Sequence, residues 1–94
     1  MAEIELDGEQ TIFQVSATYQ RLRAALATHQ VLYIELRGVH ECDTAFVQLI
    51  LWLQLEAERL QQQVHLRNPP RQLQELAALL GLTQAIKLPE LDHA

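Results

Sequence analysis

Val31-Leu32-Tyr33-Ile34-Glu35-Leu36, Arg37-Gly38-Val39-His40-Glu41-Cys42 and Asp43-Thr44-Ala45-Phe46-Val47-Gln48-Leu49-Ile50-Leu51-Trp52-Leu53 follow one another, and the stretch continues to Gln62. A strand, a turn and a helix can be read from it in that order. The first segment is nearly continuous in apolar character, as expected of a strand covered on both faces. The second carries a glycine among polar residues and reads as a short turn. The third opens with two capping residues and a small one, then becomes a long apolar helix. A strand that turns into a helix in so few residues leaves backbone N–H groups directed outward at the joint. An anion, a phosphate or a partner protein is favoured there.

Before this stretch, Ile4-Glu5-Leu6 alternates and meets Asp7-Gly8, a turn signal. With Thr11-Ile12-Phe13 as a second strand, the segment predicts an N-terminal hairpin. From about Gln14 the period becomes helical, with Val15, Tyr19, Leu22 and Leu26 on one face and an end near Thr28-His29. After the central helix, Val64-His65-Leu66-Arg67-Asn68 alternates as a strand, implying a right-handed parallel crossover. Asn68 is the expected cap of a third helix whose first turn tolerates Pro69 and Pro70. That helix carries Leu73, Leu76, Ala77 and Leu80 and stops at Gly81. Ala85–Leu88 adds a short strand or turn. One domain over residues 1–94 is expected, with its core over about 4–88 and a loose tail over 89–94.

The central helix has more apolar surface than one core face needs. Phe46, Leu49, Ile50, Leu53, Ala57 and Leu60 form one stripe, and Val47, Leu51 and Leu55 a second. Packing against a sheet and neighbouring helices accounts for both stripes. Exposure of the second, near Val47 and Leu51, would instead offer a surface to a partner.

Ninety-four residues make one small domain, and the net charge of −5 disfavours nucleic acid as a partner. The single cysteine, Cys42, has no internal partner, and no secretory signal is visible, so a cytoplasmic setting is expected. The most apolar window, Ala45–Leu55, is too short to cross a bilayer, and no membrane insertion is expected. His40, Glu41, Cys42 and Asp43 are metal-ligand types, but four consecutive turn residues do not converge on a tetrahedral site. His29, His65 and His93 are scattered. Neither a triad spacing nor a glycine-rich phosphate loop occurs, so neither catalysis nor a cofactor is expected. Cys42 reads as a small hydrophobe, though a helix N-terminus beside it could lower its pKa.

Leu6-Asp7-Gly8-Glu9, Ile34-Glu35-Leu36-Arg37-Gly38-Val39, Cys42-Asp43-Thr44-Ala45, Leu66-Arg67-Asn68-Pro69-Pro70 and Leu79-Leu80-Gly81-Leu82 occur in an order and spacing that resembles the STAS domain. The resemblance covers about Ile4 to Leu88. It implies an α/β fold, a mixed and mostly parallel sheet with helices packed on it, in a bacterial, non-enzymatic interaction module.

In that family the residue after the joint's Asp is a Ser or Thr. In the anti-sigma-factor antagonists it is phosphorylated by a partner that is both anti-sigma factor and serine kinase. Thr44 occupies that position. The resemblance extends to a STAS subunit of a lipid-asymmetry ABC transporter, which contacts its ATPase at the equivalent threonine, and to STAS proteins encoded among chemotaxis genes. The implied partners are thus an anti-sigma factor and kinase, a chemotaxis signalling component, or an ABC ATPase. Self-association is left open. Thr44, or Asp43 before it, reads as a helix cap, a role that can hold together with a partner contact, and phosphorylation of Thr44 is the third reading. His40, Asp43, Thr44, Phe46, Val47 and Leu51 are the expected docking residues. The family pattern continues with glycine where this chain has Phe46, whose ring would crowd a kinase reaching for Thr44.

Overall fold

Three strands alternate with three helices along the chain: β1 (Ala2–Gln10), α1 (Val15–Thr28), β2 (Val31–Cys42), α2 (Thr44–Arg59), β3 (Gln63–Arg67) and α3 (Arg71–Leu79). The computed structural model describes residues 1–89. The sheet order is β1-β2-β3, and both pairings are parallel. Consecutive parallel neighbours joined by right-handed crossovers place every connecting helix on the same side of the sheet. Leu6, Leu32, Ile34, Leu36 and Val64 are accordingly buried beneath the helices. Glu3, Glu5, Gln63, His65 and Arg67 lie exposed on the other face.

This topology corrects two expectations. β2 is covered on one face only, with Tyr33 and Glu35 half-buried on the open side. There the Tyr33 ring stacks on His65 and lies beneath the Arg67 guanidinium, while the Asn68 amide donates to the Glu35 carboxylate. The expected hairpin is likewise absent, and the sheet is parallel throughout. Asp7 and Gly8 lie inside β1, where the pairing with β2 shifts register between Glu5 and Asp7 and again between Gly8 and Glu9. Gly8 takes a left-handed φ of +66° at the second shift.

The expected turn at Arg37–Cys42 is a continuation of β2 through those bulges. Between Glu5 and Gln10 on one side, and Glu35 and Cys42 on the other, β2 carries the extra residues. That breaks its alternation, so that Leu36, Val39 and Cys42 all face inward at a spacing of three. Bulges therefore keep the whole of β2 anchored up to the joint.

Phe46, Leu49, Ile50, Leu53 and Ala57 of α2 are buried, and Val47 with them. The Gln54 side chain is buried too, its amide donating to the Ile86 carbonyl (3.0 Å) and so tying the turn at Thr83–Lys87 to α2. α3 ends as expected at Gly81, φ +72°, with Leu82 N–H reaching the Ala77 carbonyl (2.8 Å) and Gly81 N–H the Ala78 carbonyl (3.1 Å). The same pair of bonds closes α2 around Gln61, a left-handed residue with a side chain. Asn68 does not cap α3. Its side chain is committed to Glu35, and Pro70 occupies the N-cap position. Of the tail expected over 89–94, Pro89 is exposed, and the residues from Glu90 on lie outside the described ones.

Candidate functional site

In a parallel sheet all strands deliver their C-terminal ends to one edge, which is where sites form in open α/β folds. Gln10 pairs with Cys42, so the segments leaving β1 and β2 emerge side by side. The segment after β2 is Asp43-Thr44; the segment after β1 is Thr11-Ile12-Phe13-Gln14.

Asp43 is the N-cap of α2. Its Oδ1 accepts from the Phe46 N–H (3.2 Å), satisfying one of the orphan donors of the first turn. Its Oδ2 accepts from the Ile12 N–H (2.9 Å), thirty-one residues away in sequence. One carboxylate thus holds both the start of α2 and the loop that follows β1. On the other side, the Cys42 N–H donates to the Gln72 side chain (3.0 Å), bracing the joint against α3. Thr44, the first residue of α2, is exposed.

Thr11–Gln14 is a fixed turn into α1. The Gln14 Oε1 accepts from the Thr11 N–H (3.0 Å), the Thr11 hydroxyl accepts from the Phe13 N–H (3.4 Å), and Gln14 N–H returns to the Thr11 carbonyl (2.9 Å). This is one half of a capping box, the Gln14 side chain reaching back to the Thr11 N–H. It faces two apolar side chains outward: Ile12 is 59% exposed and Phe13 89%. Thr-x-x-Gln ahead of a helical period is the sequence sign of such a turn. Reading Thr11-Ile12-Phe13 as a strand hid it.

The expected docking residues divide. Asp43 and Thr44 stand at the joint, and His40 is exposed at the bulge in β2. Phe46 and Val47 are corrected: both are fully buried, and neither has surface to offer a partner. Phe46, two residues past Thr44, lies across the helix from it on the core-facing side, whereas Val47, three residues on, neighbours Thr44 by spacing but is turned into the core. The Phe46 ring therefore does not crowd Thr44. Helical spacing instead puts Gln48, Leu51 and Leu55 on the face of Thr44. Gln48 is exposed, Leu51 half-buried and Leu55 53% exposed.

Burial pushes the Cys42 thiol up to about 11, helped by the neighbouring charges of Asp43 and Glu41. The helix N-terminus beside it does not activate it. Among the described residues, no group of three or more His, Cys, Asp or Glu side chains is placed to hold a metal ion. No described helix is long and apolar enough to cross a membrane.

A single small α/β domain with a three-stranded parallel sheet is the class the fold defines, and comparison with known proteins agrees. The family model described as "Mlab, STAS domain" matches residues 2–90, and the chain belongs to the STAS-domain family. Among solved structures it is similar to the anti-sigma factor antagonist SpoIIAA in its unphosphorylated form. The TM-score is 0.74 at 18% identity, covering 97% of this chain and 79% of that one. It is also similar to the Bacillus cell fate determinant SpoIIAA in the phosphorylated form, at TM-score 0.71 and 18% identity, covering 97% and 82%. No curated protein matches the chain.

Proposed function

We propose that this STAS domain is a non-enzymatic protein-docking module of the anti-sigma-factor-antagonist kind, with Thr44 as its switch position. The observation that carries the reading is an exposed Thr44 directly after Asp43, whose carboxylate accepts from the Ile12 N–H of a hydrogen-bonded turn that leaves Ile12 and Phe13 exposed. A preorganised aromatic at the surface is the usual anchor of a protein interface, because little conformational freedom is lost on binding. The docking surface combines Ile12, Phe13, Asp43 and Thr44 with Gln48 and Leu51 along α2, and His40 at its margin.

A phosphoryl group from a kinase's ATP, placed on Thr44, would sit at the positive end of α2 and be tolerated by the fold. The same group would add bulk and close to two negative charges to the docking surface, and would expel a partner seated flat on it. A second reading is a regulatory subunit that binds the ATPase of a bacterial lipid-transport ABC transporter without phosphorylation. The 89% exposure of Phe13 favours it, since a permanent contact is the simplest use of so exposed a ring.

The test is affinity capture from the native cell with wild type, Thr44→Glu and Phe13→Ala. Both variants are expected to lose the wild-type partner at least tenfold while keeping the wild-type melting temperature within about 2 °C. Capture unchanged in both would overturn the docking reading. Intact mass after incubation with the captured partner and ATP separates the two readings: one added phosphate on Thr44 for the switch, none for the static subunit.

A further inference from the structure

We infer that Asp43 is a positioning residue that couples the charge at position 44 to the placement of Ile12 and Phe13. The inference rests on the docking reading for its purpose, and on the hydrogen bonds alone for its geometry. A helix cap needs one acceptor, and the Asp43 Oδ1 supplies it to the Phe46 N–H at 3.2 Å. The second oxygen is spent elsewhere: Oδ2 accepts from the Ile12 N–H at 2.9 Å. That contact is the shorter of the two.

Among the described residues, the loop's other hydrogen bonds run within itself and to the start of α1, where the Thr11 and Gln14 carbonyls accept from the Val15 and Thr18 N–H groups. Thr11, Phe13 and Gln14 bond one another, and the Ile12 side chain is 59% exposed. Asp43 is therefore the polar link between the two segments of the site, and the residue that follows it is Thr44. A negative charge on the Thr44 side chain repels the adjacent carboxylate and competes for the same amides at the start of α2. Moving the carboxylate by a fraction of an ångström lengthens the Ile12 bond and releases Phe13 from its held position. Modification of Thr44 would then weaken docking twice, by direct charge and by loosening the neighbouring anchor.

Substituting asparagine separates the two functions of Asp43. Its one carbonyl oxygen can cap α2 almost as well as a carboxylate, whereas its NH2 group would meet the Ile12 N–H donor to donor. In free 15N-labelled Asp43→Asn, NMR amide exchange at Ile12 is expected to rise about tenfold, with exchange at Phe46 unchanged. Asp43→Ala is expected to raise both. Thr44→Glu should raise exchange at Ile12, and Thr44→Gln should not. Ile12 exchange at the wild-type rate in Asp43→Asn, or equal in Thr44→Glu and Thr44→Gln, would overturn the coupling. Neither result depends on a partner, so the coupling can fail while the capture experiment with Thr44→Glu and Phe13→Ala still succeeds, and the reverse.

Discussion

Asp43 and Cys42 are adjacent in sequence and opposite in fate. The Asp43 carboxylate reaches both segments of the site, while the Cys42 side chain is 3% exposed, with its thiol pushed up to about 11. A raised thiol pKa in the folded state has a definite sign in linkage. The neutral form is the one the fold accommodates, so stability is independent of this group below its unfolded pKa. It is lost as pH rises from there through about 11. Cys42→Ala is expected to flatten the alkaline limb of a stability-against-pH curve. Native protein at pH 8 should react with a thiol reagent at least a hundredfold more slowly than urea-unfolded protein. Rapid labelling of the folded chain would show the thiol to be activated by the helix end after all. Sequence could place both residues at the joint, because Asp-Thr before an apolar run is a local capping pattern. The second bond of Asp43 was illegible, because it joins residues thirty-one apart.

At the level of elements, the helices were legible and the N-terminal strand was not. α1, α2 and α3 follow periodic apolar positions and recognisable end signals, so Val15–Thr28, Thr44–Arg59 and the stop at Gly81 could be anticipated closely. Asp7-Gly8 gives the same local signal in a hairpin and in a bulged strand, since both use a left-handed glycine. What decides between them is the pairing of β1 with β2, a contact with no local trace.

Gly38 is the other half of that pairing. A Cβ added there would lie 2.9 Å from the Asp7 Cβ and 3.5 Å from its Cα, atoms that cannot swing aside. Gly38→Ala is expected to force the strands apart and cost about 1–3 kcal/mol, read as a lower urea midpoint at unchanged slope. A midpoint equal to wild type would mean that the two strands approach less closely than described.

For the whole molecule, helices on one side of the sheet leave two surfaces of different character. The open sheet face is polar and its groups are engaged with one another: Arg67 on Tyr33 and Glu3, Asn68 on Glu35, His65 on Tyr33. The edge where β1 and β2 end carries instead an exposed threonine and two exposed apolar side chains next to a shared carboxylate. Apolar exposure held in place marks a binding surface better than a solvated polar array does. Composition disfavours nucleic acid as a partner, but it could not say which residues of α2 face outward. Phe46 and Val47 look as available as Leu51 until the helix is set against the sheet.

The docking edge is tested most directly by site-specific photocrosslinking in the native cell, with a benzophenone amino acid at position 13 or at position 65. A single discrete adduct from position 13, lost on Thr44→Glu, with none from position 65, is the expected result. An adduct from position 65 and none from position 13 would put the partner on the open sheet face and contradict the account.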